Sequence, residues 1–175
     1  MFLTGLSGSG KTTIANVLVD RLRDAGRTVV LLDGDVVRRN LWPDLGFSRD
    51  DRDTNVRRIG SIASEIAAHG GVALCSMVAP YDAARKDVRR MVEQVGGFVL
   101  VHVATPLDVC ETRDPKGLYA KARAGLLPAF TGVSDPYEVP DDAELVVDTT
   151  RAAPEAASSI LSYLTEHRYI GSSSQ

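Results

Sequence analysis

Gly5-Leu6-Ser7-Gly8-Ser9-Gly10-Lys11-Thr12 carries Gly5, Gly10, Lys11 and Thr12 at the spacing G-x-x-x-x-G-K-[ST]. That pattern implies a mechanism. Glycines let the backbone wrap closely around an anion, and successive N–H groups then point inward at it. A lysine at this position reaches β/γ-phosphates, and the hydroxyl after it ligates Mg²⁺. Gly5, Ser7, Gly8, Ser9, Gly10, Lys11, Thr12 and Thr13 are therefore the expected nucleotide-phosphate contacts. A helix has to begin here, so that its positive end also faces the phosphates.

A second group of residues could complete the chemistry. Asp33-Gly34-Asp35 is followed by Arg38 and Arg39. Carboxylates facing a phosphate loop can hold Mg²⁺, directly or through water, or accept a proton from a substrate hydroxyl. Asp-Gly is also a common turn dipeptide, so a purely structural turn competes with this reading. Further on, Arg52 and Asn55 are three residues apart and share one face of a helix that begins near Asp51. An arginine beside an asparagine suits an anionic group next to a polar base or sugar. Arg57 and Arg58 read better as a solvated helix surface.

The elements that position these residues follow from patterning. Residues 2–4 form the stub of a strand, and residues 13–23 read as an amphipathic helix with Ile14, Val17, Leu18 and Leu22 on one face and Gly26 as its stop. Apolar runs at 28–32, 72–78, 98–103 and 145–147 have the length of buried strands, and helical stretches fall near 54–69, 82–94, 107–112 and 154–167. Continuous apolar strands alternating with helices predict a parallel sheet covered on both faces. Ligands of such sheets bind beyond the carboxyl ends of the strands, so the loops after Thr4, Leu32, Val78 and Val103 should form the site. Residues 113–142 lack regular patterning and are the expected lid; residues 171–175 read as a disordered tail.

Bulk composition narrows the function classes. The chain has 175 residues, which favours one domain, spanning 1–170. A net charge of −3 gives no basic footprint for nucleic acid, and no apolar run approaches the length of a membrane span. Cys75 and Cys110 lie inside core-like segments without metal-ligand spacing, as expected for buried free thiols in a reducing cytoplasm. These features alone leave two rivals open. One is a kinase for another small hydroxyl substrate; the other is a non-catalytic nucleotide-binding regulatory domain.

The motifs in their order resemble the adenylylsulfate kinase (APS kinase) family across almost the whole chain. The resemblance rests on residues 5–13, Asp33-Gly34-Asp35 with Arg38, Leu45-Gly46-Phe47-Ser48, and Arg52, Asn55, Arg57 and Arg58. It continues through Pro80-Tyr81, residues 105–111, 113–119 and 121–125, Phe130-Thr131-Gly132 and Asp135-Pro136-Tyr137-Glu138. It implies a P-loop nucleotide kinase-like α/β fold of three layers, with a central parallel sheet and a lid. The implied activity is phosphorylation of the 3′-hydroxyl of adenosine 5′-phosphosulfate (APS) by ATP with Mg²⁺, giving PAPS in sulfate activation. By the same resemblance Asp35 activates the hydroxyl, while Asp33 supports Mg²⁺ together with Thr12. Arg38, Arg52 and Asn55 contact the phosphosulfate substrate. Phe47 and Phe130 sandwich its adenine, and the backbone at Val78 and Ala79 meets the base edge. Lys116 reaches the substrate from the lid, and Arg113 lies near the ATP adenine. A homodimer is also implied.

Two departures from the family pattern carry consequences. Many members have a serine just before the Pro-Tyr pair, where this chain has Ala79. Alanine has no hydroxyl to accept a phosphoryl group, so direct in-line transfer is the expected route. The first strand also starts abruptly, as expected of a kinase domain from a longer protein; some relatives are fused to a sulfate adenylyltransferase.

Overall fold

A computed structural model describes residues 1–150 and 152–170. The expected tail at 171–175 lies outside the described residues. Five parallel strands, β1 (Phe2–Thr4), β2 (Val29–Asp33), β3 (Val72–Ser76), β4 (Leu100–Val103) and β5 (Leu145–Val147), form one sheet in the order β2-β3-β1-β4-β5. The register pairs Asp33 with Ser76 and Thr4 with His102, so the carboxyl ends line up along one edge. Among the described residues, seven helices accompany them: α1 (Lys11–Asp24), α2 (Gly34–Leu41), α3 (Arg49–Ala68), α4 (Asp82–Glu93), α5 (Leu107–Arg113), α6 (Leu118–Arg123) and α7 (Ala153–Glu166).

The strands are apolar at successive positions because both faces are covered. Phe2, Cys75 and Leu100 point to one side, where they meet Val56 and Ile59 of α3 and Val88 and Val92 of α4. Leu3, Leu74 and Val101 point to the other, against Ile14, Leu18 and Leu22 of α1 and Ile160 and Leu164 of α7. This alternation gives the three-layer architecture expected from the sequence. Helices α3 and α4 approach closely at Gly60, where an added Cβ would lie 2.5 Å from Val88 Cγ2. Cys75 and Cys110 are buried free thiols, and burial pushes the Cys75 thiol up to about 11.

The elements differ from expectation at three places. No loop follows β2: the Asp33 carboxylate accepts from the N–H groups of Asp35 and Val36 and starts α2 directly. Helix α3 begins at Arg49, earlier than its apolar pattern, because the Ser48 hydroxyl caps the Asp51 N–H. The region expected as an irregular lid, 113–142, contains α6, and Phe130–Asp135 forms a compact turn within it. Among the described residues, no helix is long and apolar enough to cross a membrane.

Candidate active site

The phosphate loop is held open by bonds to its outward-facing carbonyls. Thr105 Oγ1 and Thr149 Oγ1 donate to Ser9 O (2.9 and 2.8 Å), Tyr119 Oη to Ser7 O (2.9 Å), and Arg113 reaches Gly8 O (3.5 Å). Pulling carbonyls outward leaves N–H groups turned inward, the geometry of an anion nest. The first intrahelical bond of α1 runs from Ile14 N to Gly10 O, so the amides of Lys11, Thr12 and Thr13 sit in the orphan first turn. Gly10 is required at its position: φ is +93°, and a Cβ would meet the Thr149 side chain at 2.7 Å.

Lys11 crosses this loop with its ammonium donating to Gly5 O (2.9 Å), Leu6 O (2.7 Å) and Ser9 Oγ (3.3 Å). Burial lowers its pKa to about 8, against the nearby thiol of Cys110 and the carboxylates of Asp35 and Asp33, which raise it. Thr12 Oγ1 donates to Asp33 Oδ2 (3.2 Å), while Asp33 Oδ1 caps α2. A hydroxyl and a carboxylate adjacent to a phosphate nest form an oxygen-only donor set of the kind Mg²⁺ uses with few protein ligands. Thr12 and Asp33 therefore fit a magnesium ion.

Asp35 is in the first turn of α2 and forms an ion pair with Lys116, so the sheet edge and the 113–142 segment meet at the carboxylate expected to act on the hydroxyl. Both side chains are well exposed to the cleft. That cleft has a volume of about 1080 Å³, just above the ~300–1,000 Å³ common for ligand pockets. The phosphate loop, Asp35, Phe47, Phe130 and Val78–Ala79 all line it.

The remaining expected contacts fall into two groups. Asn55 is buried in the cleft wall, and its Oδ1 has no hydrogen-bond partner among the described residues. Arg38 and Arg52, expected on the substrate anion, are engaged with the protein. Arg38 donates to Gly46 O and lies over the Phe47 ring, 4.7 Å from its centroid. Arg52 donates to Phe47 O (2.9 Å), Ala129 O, Thr131 Oγ1 and Asp135 Oδ2 (3.1 Å). Phe130 packs edge-on to Tyr119, with centroids 5.1 Å apart. The Val78 and Ala79 carbonyls accept from Thr4 Oγ1 (2.6 Å) and Arg85 (2.7 Å). Ala79 holds φ +42°, unusual for a residue with a Cβ. Arg113 is bonded to Thr149 as well as to the phosphate loop.

Several residues that build the site had no role in the sequence reading: Thr105, Thr149, Tyr119, Tyr81, Asp135 and Glu138. The motifs at 80–81, 105–111, 113–119 and 135–138 contain five of these; nothing local marks Thr149.

The family model for adenylylsulphate kinase matches residues 1–148. The adenylyl-sulfate kinase of Shewanella pealeana is 50% identical over 173 residues, covering 98% of this chain and 84% of that protein. The structure of the Mycobacterium tuberculosis APS kinase in complex with AMPPNP and APS superposes with a TM-score of 0.90 at 40% identity, covering 93% of this chain and 95% of that one. The hexameric APS kinase from Thiobacillus denitrificans is 45% identical with a TM-score of 0.74, covering 97% of this chain and 29% of that one. With the phosphate loop, the acidic pair and the aromatic-lined cleft all in place, the chain belongs to the adenylylsulphate kinase family.

Proposed function

We propose that this chain transfers the γ-phosphoryl group of ATP to the 3′-hydroxyl of APS, giving PAPS and ADP. The observation that carries this reading is that a phosphate nest, the Asp35 carboxylate and two aromatic side chains line one and the same cleft. Phosphoryl transfer demands positioning and charge stabilisation more than covalent chemistry from the protein. Lys11 and the amides of residues 8–13 hold the nucleotide phosphates. Asp35 orients the acceptor hydroxyl and takes its proton, with Asp33 holding the turn from β2 into α2 in place. Thr12 and Asp33 hold Mg²⁺, which supplies charge neutralisation at the phosphates.

Phe47 and Phe130 stack on the substrate adenine, and the backbone at Val78 and Ala79 borders its edge. Arg38, Arg52 and Lys116 supply positive charge on the phosphosulfate side. The unpartnered Oδ1 of Asn55 suits a ligand donor such as a hydroxyl or an amine. Arg113 closes the nucleotide end, and the 113–142 segment acts as a lid that excludes water. Transfer is direct and in line, since Ala79 offers no oxygen for a phosphoryl intermediate. The reading extends to a cytoplasmic homodimer working beside, or fused to, a sulfate adenylyltransferase; sedimentation of the purified chain distinguishes dimer from monomer.

The test is ADP release from MgATP with and without APS, for the wild type and Asp35→Ala. APS-dependent turnover that falls by about 10²-fold or more in the variant supports the assignment, since general-base contributions are typically 10²–10⁴-fold. Turnover indifferent to APS sinks it.

A further inference from the structure

The Pro80-Tyr81 and Asp135–Glu138 motifs have no assigned part in the chemistry, and the fold locks them together. Tyr81 Oη donates to Asp135 Oδ2 (2.6 Å), Asp82 N to Glu138 Oε2 (2.7 Å), and Glu138 N to Pro80 O (2.8 Å). Arg85, buried at 1% exposure, spans the joint by donating to both Ala79 O and Glu138 O (each 2.7 Å). The segment bearing Ala79 is thereby pinned in its left-handed conformation from both sides.

Asp135 has a further connection. The same Oδ2 that accepts from Tyr81 also accepts from Arg52, whose Nε donates to Phe47 O. Asp135 is also tied rigidly to Phe130. The amides of Val133, Ser134 and Asp135 all bond to Phe130 O (3.0, 3.0 and 3.1 Å), and Ser134 Oγ accepts from Phe130 N (3.0 Å). One carboxylate oxygen thus joins three walls of the cleft: Phe47 through Arg52, Phe130 through its own turn, and Val78–Ala79 through Tyr81. Tyr81 is 2% exposed, and the side chains of Arg52 and Asp135 are 12% and 19% exposed, so this is not a solvated surface pair.

We propose that Asp135 is a positioning residue of the substrate pocket, setting the separation of the Phe47 and Phe130 rings and their alignment with Val78–Ala79. Asp135 is not among the residues that line the cleft. Stacking depends steeply on ring separation, so loosening this junction weakens the aromatic slot and leaves the nucleotide end intact. The inference rests on the assignment of the slot to APS.

Calorimetric titration of the intact chain with APS, and separately with Mg-AMPPNP, tests it in the wild type, Asp135→Asn and Tyr81→Phe. Each variant should bind APS about tenfold more weakly, the scale of one lost hydrogen bond to a charged group, with Mg-AMPPNP affinity unchanged. The double variant should lose less than the product of the single losses, because both act on one oxygen. APS affinity within twofold of wild type in both variants overturns the proposal. So does parallel weakening of APS and Mg-AMPPNP with a lowered Tm, which marks a general structural defect. Tyr81→Phe removes only a hydroxyl and carries the test should Asp135→Asn fail to fold. A wild type that binds Mg-AMPPNP but not APS overturns the assignment of the slot, and this inference with it.

Discussion

Lys11 combines a phosphate-binding task with a site that disfavours its charge. Burial lowers its pKa to about 8, whereas an unfolded lysine titrates near ~10.4. The cation holds phosphate, so nucleotide affinity should fall as pH rises past 8, by at most about tenfold per pH unit. Titration of MgADP between pH 7 and 9.5 checks this: the wild type should show the decline, and Lys11→Met should bind weakly with a flat profile. The linkage to stability has the opposite sense. Between about 8 and ~10.4 the unfolded chain holds a proton that the folded one has released, so stability from this group improves with rising pH and is at its worst below 8. The carbonyls of Gly5 and Leu6, with Ser9 Oγ, offset part of that cost by accepting from the ammonium.

At the scale of elements, the contact between α3 and α4 is set by a missing side chain. Gly60→Ala would drive a methyl group against Val88, and overpacking of this kind costs about 1–3 kcal/mol. Urea denaturation should show that loss, with a weakened APS affinity because α3 carries Arg52 and Asn55. The sequence made α1, α3, α4 and α7 legible through periodic apolar faces, and the strands through continuous apolar runs. Helix α2 was hidden behind Asp33-Gly34, which reads as a turn until the Asp33 side chain is seen capping its first amides. The first turn of α3, Arg49 to Asp53, has no apolar residue to declare it, and six-residue α6 is too short for a periodic signal. The phosphate loop was legible for the converse reason: its chemistry is contained in eight consecutive residues. The junction at Asp135 was not, because it joins residues 54 and 83 positions apart, and motif spacing says nothing about which of two distant side chains meet.

The molecule as a whole has two cores, one on each side of the sheet, and Val56, Met77 and Ala79 of the cleft wall belong to one of them. Ile160, fully buried on the α1–α7 side, tests how independent they are. Ile160→Ala should destabilise by about 2–5 kcal/mol with APS affinity unchanged, since Val56, Met77 and Ala79 of the cleft wall belong to the other core. Saturating MgADP should recover about 2.7 kcal/mol at a hundredfold excess over its Kd, read as a shift in the urea midpoint. Both ends of the cleft also depend on residues late in the chain. Thr149 braces Ser9, and Asp135 and Glu138 brace the wall that begins at Val78. A ribosome delivers these residues more than a hundred positions after Lys11. The emerging chain therefore exposes its phosphate-gripping segment before the residues that brace it exist.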